Sequence, residues 1–453
     1  MSPRPVDDTH VFKRRMWHDY PRIVRAEGIY LIAEDGRRFI DAAGGAVVVN
    51  VGHGVTEIAE AMAQQARQVG YVHAEKFTTP VMEEYAAALA EVIPMPDPKF
   101  FPLSTGSEAN EAAIKLARQI QLMRGQPLRH LTIGRWNSYH GITLGTLAVG
   151  GRKAAREKFL PMMRHVPHIE PPACYRCPFG QTYPDCGLTC ARDLERTITQ
   201  YEPDHITAFI AEPVSGASLA ATTAPKEYWP MVRDICNKYG VLLIADEVMC
   251  GFGRTGKWCA FEHFGFTPDI LTIGKGLAGG IFPLSLMVVR GSLVQELYDG
   301  GQDIAHGGTF SHHPVGAAAG LATLRYMQQR DLVGEAARKG AQLGQFMHTA
   351  LDHLPGVGNV RGIGMMWGVE FVQDPVSKEP FAPAMNIANR VFEAAQARGL
   401  VLYPGRGAAD GMAGDTVMVA PPTIINEAEM QIVVETLAAA IQEVCASLVS
   451  QEA

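Results

Sequence analysis

Hydrophobic positions in the middle of this chain follow two rhythms. Short unbroken apolar runs alternate with stretches whose apolar residues recur every three or four positions. The runs predict buried strands at Phe100–Leu103, His205–Val214, Val241–Ala245, Asp269–Ile273 and Leu284–Val289. The longer period predicts an Ala-rich helix reaching Arg124, a helix over Lys226–Tyr239 stopped by Gly240, and one over Val315–Gln328. Strands alternating with helices imply an α/β fold whose mostly parallel central sheet is covered by helices. Such sheets bind ligands beyond the carboxyl ends of their strands. Further on come a helical pattern over Leu332–Leu354, a strand over Met366–Val372 and a helix over Ala384–Arg398. A glycine-rich loop, Gly405–Gly414, and a final helix from about Glu427 follow. These describe a smaller α+β body drawn from both termini. The expected division is residues 1–65 and 336–453 for the small body and 66–335 for the large one.

Composition narrows the class. At 453 residues the chain exceeds a single core, and its charged share of 19% is low for its size, as a large buried subunit interface would explain. The net charge of −7 argues against nucleic acid or an anionic membrane as partner. No apolar run approaches the ~18 residues a membrane helix needs. Met1–Trp17 carries Asp7, Asp8, Lys13, Arg14 and Arg15 without an apolar core, unlike a secretory leader. The expectation is a cytoplasmic multidomain protein.

The candidate chemistry lies after the predicted strands. Thr105 and Glu108 have capping-box spacing around Gly106 and Ser107, and the free amides of a helix start suit a phosphate. An ordinary cap has the same pattern. Asp246-Glu247 ends one apolar run, and Lys275 follows the next, between Gly274 and Gly276. A carboxylate and a lysine on adjacent strand ends are what pyridoxal phosphate (PLP) chemistry needs. The lysine forms a Schiff base, and the carboxylate keeps the pyridine nitrogen protonated. A structural ion pair would look alike.

Six stretches taken in order carry more than any one. Pro102–Asn110, Ser138-Tyr-His-Gly141, Ala211-Glu-Pro-Val214, Ala245–Gly256, Thr272-Ile-Gly-Lys-Gly276 and Gly308-Thr-Phe-Ser311 resemble the class III PLP-dependent aminotransferases, of fold type I. The resemblance runs from about Ala26 to the C-terminal helix, and is nearest to the ω-amino acid:pyruvate branch. It implies that Lys275 carries pyridoxal 5'-phosphate and shuttles the proton, and that Asp246 binds the pyridine nitrogen. It implies that Tyr139 and Val248 cover the two ring faces, and that Thr105, Gly106 and Ser107 hold the phosphate. Thr309 would reach the phosphate of a neighbouring subunit, making a homodimer with shared sites, or a tetramer of such dimers. Glu212 and His140 would orient Asp246 or the cofactor's phenolic oxygen, or serve as ordinary buried polar residues. The implied activity is ping-pong transfer of an amino group from an amine or ω-amino acid to a keto acid, pyruvate first. An aminomutase or a decarboxylating transaminase would use the same Lys275 and Asp246. A catalytically silent binding protein is the other class, and joint retention of Lys275, Asp246, Tyr139 and Thr309 speaks against it.

Departures from the family pattern bear on substrate. Members specialised for 2-oxoglutarate carry an Arg where this chain has Met418, and a Glu where it has Ala217. In the pyruvate branch a mobile Arg upstream of Ala-Pro-Pro binds the acceptor's carboxylate. Arg406 fits that description, although a loop arginine at the surface would read the same. The segment Gly44–Asn50 lacks the large aromatic common in amine:pyruvate enzymes, which puts arylalkylamine preference in doubt. Finally, Cys174, Cys177, Cys186 and Cys190 lie in a Pro-rich insertion, spaced as a tetrahedral zinc would need or as four reduced thiols. The expected chemistry calls for no metal.

Overall fold

The computed structural model describes residues 10–15, 18 and 20–452. Most of the N-terminal stretch whose charges argue against a leader lies outside the described residues. Seven strands form the central sheet: β4 (Lys99–Leu103), β5 (Leu131–Arg135), β6 (His168–Ile169), β7 (Ile206–Ala211), β8 (Leu242–Glu247), β9 (Ile270–Ile273) and β10 (Ser285–Val289). Their order is β4-β10-β9-β8-β7-β5-β6, and only β10 runs against its neighbours. Strands β7, β8, β9 and β10 are buried at every position, as unbroken apolar runs between two helical layers must be.

The smaller body holds two four-stranded sheets. One joins β1 (Ile23–Glu27), β2 (Tyr30–Ala33) and β3 (Arg38–Asp41) to β13 (Leu400–Val401). The other orders β11 (Val357–Ile363), β12 (Met366–Phe371), β15 (Thr416–Val419) and β14 (Tyr403–Gly405). Ile40 pairs directly with Leu400, and Ile29 and Ala42 share a core with Leu343, Val391 and Leu437. Val47, Val51, Val55 and Ile58, which the expected division gives to the small body, bury instead in the core of the large one.

Local chemistry explains where the expected elements stop early. Strand β7 ends at Ala211, short of Val214, because Pro213 has no N–H for a ladder. The helix expected from Ala384 starts at Ile387, because Asn386 takes φ +54°. The terminal helix, Glu427–Glu452, corrects the membrane reading. Glu427–Leu448 is long and apolar enough to cross a bilayer by length and composition, contrary to the count of apolar runs. Its Met430, Val433, Val434, Leu437, Ala440, Ile441 and Val444 bury in the small core, which accounts for its apolar face.

The cysteine insertion braces the two bodies. Arg176, in the turn Cys174–Arg176, pairs with Glu370 on β12 and donates to Lys378 O at 2.5 Å. The four thiols are free and line one cleft with Pro171, Phe179 and Pro225. Among the described residues no three His, Cys, Asp or Glu side chains stand close enough together to hold a metal. Burial and its thiol neighbours push the Cys190 thiol up to about 11.

Candidate active site

The carboxyl ends of β5, β7, β8 and β9 open on one side of the sheet, and each delivers expected residues. Past β5 come Tyr139 and His140; past β7, Glu212; at the end of β8, Asp246; past β9, Lys275. Helix Gly106–Met123 closes the crevice from β4, with Thr105 as its N-cap.

Asp246 is held by three donors. Asn110 Nδ2 and His140 Nδ1 both lie 2.8 Å from its Oδ2, and the Val248 N–H donates to Oδ1 at 3.0 Å. Asn110 is itself oriented: its Nδ2 also donates to His140 O at 2.7 Å, and its Oδ1 accepts from Thr272 Oγ1 at 2.8 Å. A relay from β9 through the helix to β8 therefore fixes the carboxylate plane. Neither Asn110 nor Thr272 was singled out from sequence. Their signal was a polar residue among the alanines of the first helical turns, and a lone hydroxyl within the apolar Ile270–Ile273.

Lys275 sits under strain and half-buried. Its φ of +50° is left-handed, which costs on the order of 1–3 kcal/mol for a residue with a Cβ. Burial pushes its ammonium down to about 8, against the opposing pull of Asp246 and then Glu212. Such an amine is half free to act as a nucleophile near pH 8, where an ordinary lysine is almost wholly protonated. Gly276 is required beside it, because a Cβ there would overlap Asn50 Nδ2. Glu212 is also desolvated, which raises its pKa, while His140 and Arg135 draw it back. Arg135 Nη2 stands 3.6 Å from Glu212 Oε2, with both side chains buried.

The phosphate candidates form a tight corner. Thr105 Oγ1 accepts from the Glu108 N–H at 3.3 Å, and Glu108 caps the amides of Ser104 and Thr105. Thr105 thus shapes the helix start, leaving the amides of Gly106 and Ser107 to face a ligand. Ser107 Oγ accepts from the Ile142 N–H at 3.1 Å and keeps its own proton to donate. A Cβ on Gly106 would stand 2.7 Å from Val248 Cγ1, so a ring lying on Val248 needs glycine here. Tyr139 is 38% exposed in the loop past β5. Thr309 is exposed, in the loop before helix Pro314–Gln329, and is not part of this corner. Arg406 follows β14, with Nε 3.8 Å from the buried Asp415 Oδ1.

These residues fit PLP. They comprise a partly desolvated lysine, a triply hydrogen-bonded carboxylate, a helix start without side-chain bulk, and two buried polar atoms without a hydrogen bond, His140 Nε2 and Glu212 Oε2, the latter with only the Arg135 guanidinium at 3.6 Å.

The chain has relatives of known family. The Aminotransferase class-III family model matches residues 13–441. Putrescine–pyruvate aminotransferase of Pseudomonas aeruginosa is 34% identical over 409 residues, 90% of this chain and 87% of its own length. Diaminobutyrate–2-oxoglutarate transaminase of Halomonas elongata is 35% identical, over 95% and 92%. The ω-transaminase of Pseudomonas jessenii in complex with PMP has 32% identity and a TM-score of 0.87, over 94% and 93% of the two chains. The chain belongs to the class III aminotransferases, fold type I enzymes that depend on PLP.

Proposed function

We propose that the chain moves an amino group from an amine or ω-amino acid to pyruvate, with both half-reactions in the crevice above β5–β9. PLP supplies an electron sink for the substrate's α-carbon when bound. Lys275 holds it, and its freed amine then carries the proton to and from that carbon. Asp246 faces the pyridine nitrogen, positioned by Asn110, His140 and the Val248 N–H. Tyr139 and Val248 exclude water from the two faces. The amides of Gly106 and Ser107 take the phosphate, on the helix capped by Thr105. Glu212 and His140 orient the polar edge of the cofactor.

The acceptor reading rests on one observation. The wall where 2-oxoglutarate specialists carry a fixed ion pair is apolar here: Met418 is fully buried on β15, and Ala217 lies buried beside Gly405. The cation that follows on that wall, Arg406, stands on a glycine-rich loop with Asp415 as its resting partner. The putrescine–pyruvate relative supports pyruvate. A panel of amine donors against pyruvate and 2-oxoglutarate tests it, with amino products and carbon dioxide both quantified. Alanine formed without carbon dioxide is expected. Faster glutamate formation would overturn the acceptor, and evolved carbon dioxide would favour a decarboxylating reaction.

A homodimer belongs to the same reading. Phe310, next to Thr309, is 61% exposed and meets Tyr71 edge-on at 6.3 Å, an apolar patch that a second copy would cover. Thr309 would then reach the phosphate of that copy. In mixed dimers of Lys275→Ala and Thr309→Ala chains, one site carries both lesions and the other neither. Partial recovery of activity on mixing is expected. Fully active isolated monomers would refute shared sites.

A further inference from the structure

Among the described residues, one cation beside the crevice, Arg152, has no counter-ion. The N–H groups of Gly151 and Arg152 both donate to Ser138 O at 3.1 Å. Gly151 packs so closely on the chain at Arg135–Asn137 that a Cβ would stand 2.6 Å from Asn137 N. This pins Arg152 to the loop that carries Tyr139. The glycine-rich loop after Arg406 closes on the same spot: a Cβ on Gly411 would lie 3.1 Å from Lys153 Cβ and 3.7 Å from Asn137 Oδ1. Arg152 therefore stands where the Tyr139 loop and the Arg406 loop meet. Its charge reaches the Tyr139 hydroxyl, where Arg152 and Arg14 oppose the upward pull of burial and Tyr403.

The two arginines differ in what they already hold. Arg406 has Asp415. Arg152 is half-buried, and among the described residues its side chain has no ion pair or hydrogen bond. A partly desolvated guanidinium without a partner is costly, and an arriving carboxylate relieves that cost through a bidentate fork.

We propose that Arg152 is a specificity-determining residue that binds the carboxylate of the substrate, with Arg406 released from Asp415 only to complete the contact. The substrate class is then amino and keto acids in preference to amines without a carboxylate. The proposal deepens the transaminase reading and rests on it.

The test uses the PLP-loaded enzyme and Arg152→Ala, Arg152→Lys and Arg14→Ala, each checked for an unchanged melting temperature. Two quantities are measured. One is the dissociation constant of propionate, a carboxylate that cannot react, by calorimetry. The other is the ratio of kcat/KM for β-alanine to that for an arylalkylamine. Arg152→Ala is expected to weaken propionate about ten- to a hundredfold and to lower the ratio by the same order, with Arg152→Lys between it and wild type. Equal losses for both amines would mean a structural role. Unchanged propionate binding, or a loss seen with Arg14→Ala alone, would also overturn the proposal. A wild-type enzyme that transaminates no amine would instead refute the function, while the propionate measurement would still report on Arg152.

Discussion

Lys275→Ala should lower turnover by on the order of 10⁴-fold, the upper range for a positioned proton-transfer group. The loss should exceed that of any other substitution here, because one side chain is assigned both covalent attachment and the proton shuttle. PLP should still bind through the phosphate corner at Gly106 and Ser107, so bound cofactor persists while its lysine-linked visible absorbance vanishes. Normal turnover with that absorbance intact would remove Lys275 from the centre of the reaction. A pH measurement checks the same residue. Its folded value of about 8 lies below the ordinary 10.5, so between these values the unfolded chain binds a proton that the folded chain has lost. Stability of the cofactor-free wild type should therefore rise with pH across that window relative to Lys275→Ala. The rate of PLP attachment should climb through about pH 8. Attachment that accelerates only near pH 10.5 would contradict the burial effect.

Asp246→Asn should cost roughly 10²–10³ in single-turnover rate, comparable to losing a preorganised electrostatic contact at a reacting centre. The substitution keeps the shape but removes the charge proposed to face the pyridine nitrogen. It also sets an amide against Asn110 Nδ2 and His140 Nδ1, leaving buried donors mismatched. Asn110→Ala should cost less, about tenfold, because His140 and the Val248 N–H still hold the carboxylate. Near wild-type rates in Asp246→Asn would show that the ring nitrogen needs no charged partner. A larger loss in Asn110→Ala than in Asp246→Asn would mean that the helix, and not the carboxylate, is being disrupted.

Much of the site was legible because its parts are local. Asp246 and Lys275 end apolar runs, and strand ends in a parallel sheet open on one crevice, so their meeting followed from the strand pattern. The capping box of Thr105 and Glu108 was legible, and it is present. The Asn110–Thr272 contact was not, since it joins residues 162 positions apart and neither has a motif of its own. Arg406 was readable as a loop arginine but Asp415 as its partner was not. The placing of Arg152, without a side-chain partner among the described residues, exists only as a relation between the Ser138 carbonyl, the Gly151 turn and the Gly411 loop.

By itself the sequence determined the alternation of strands and helices, the residues at the strand ends and the family, because periodicity and short motifs are properties of neighbouring positions. Tertiary structure alone decided where the two bodies divide, with Val47–Ile58 buried in the large core, and why the apolar terminal helix lies against the small one. It also decided which polar groups are satisfied and which are left to a ligand. A hydrogen bond or counter-ion depends on distances of about 3 Å between distant parts of the chain, and only packing sets those.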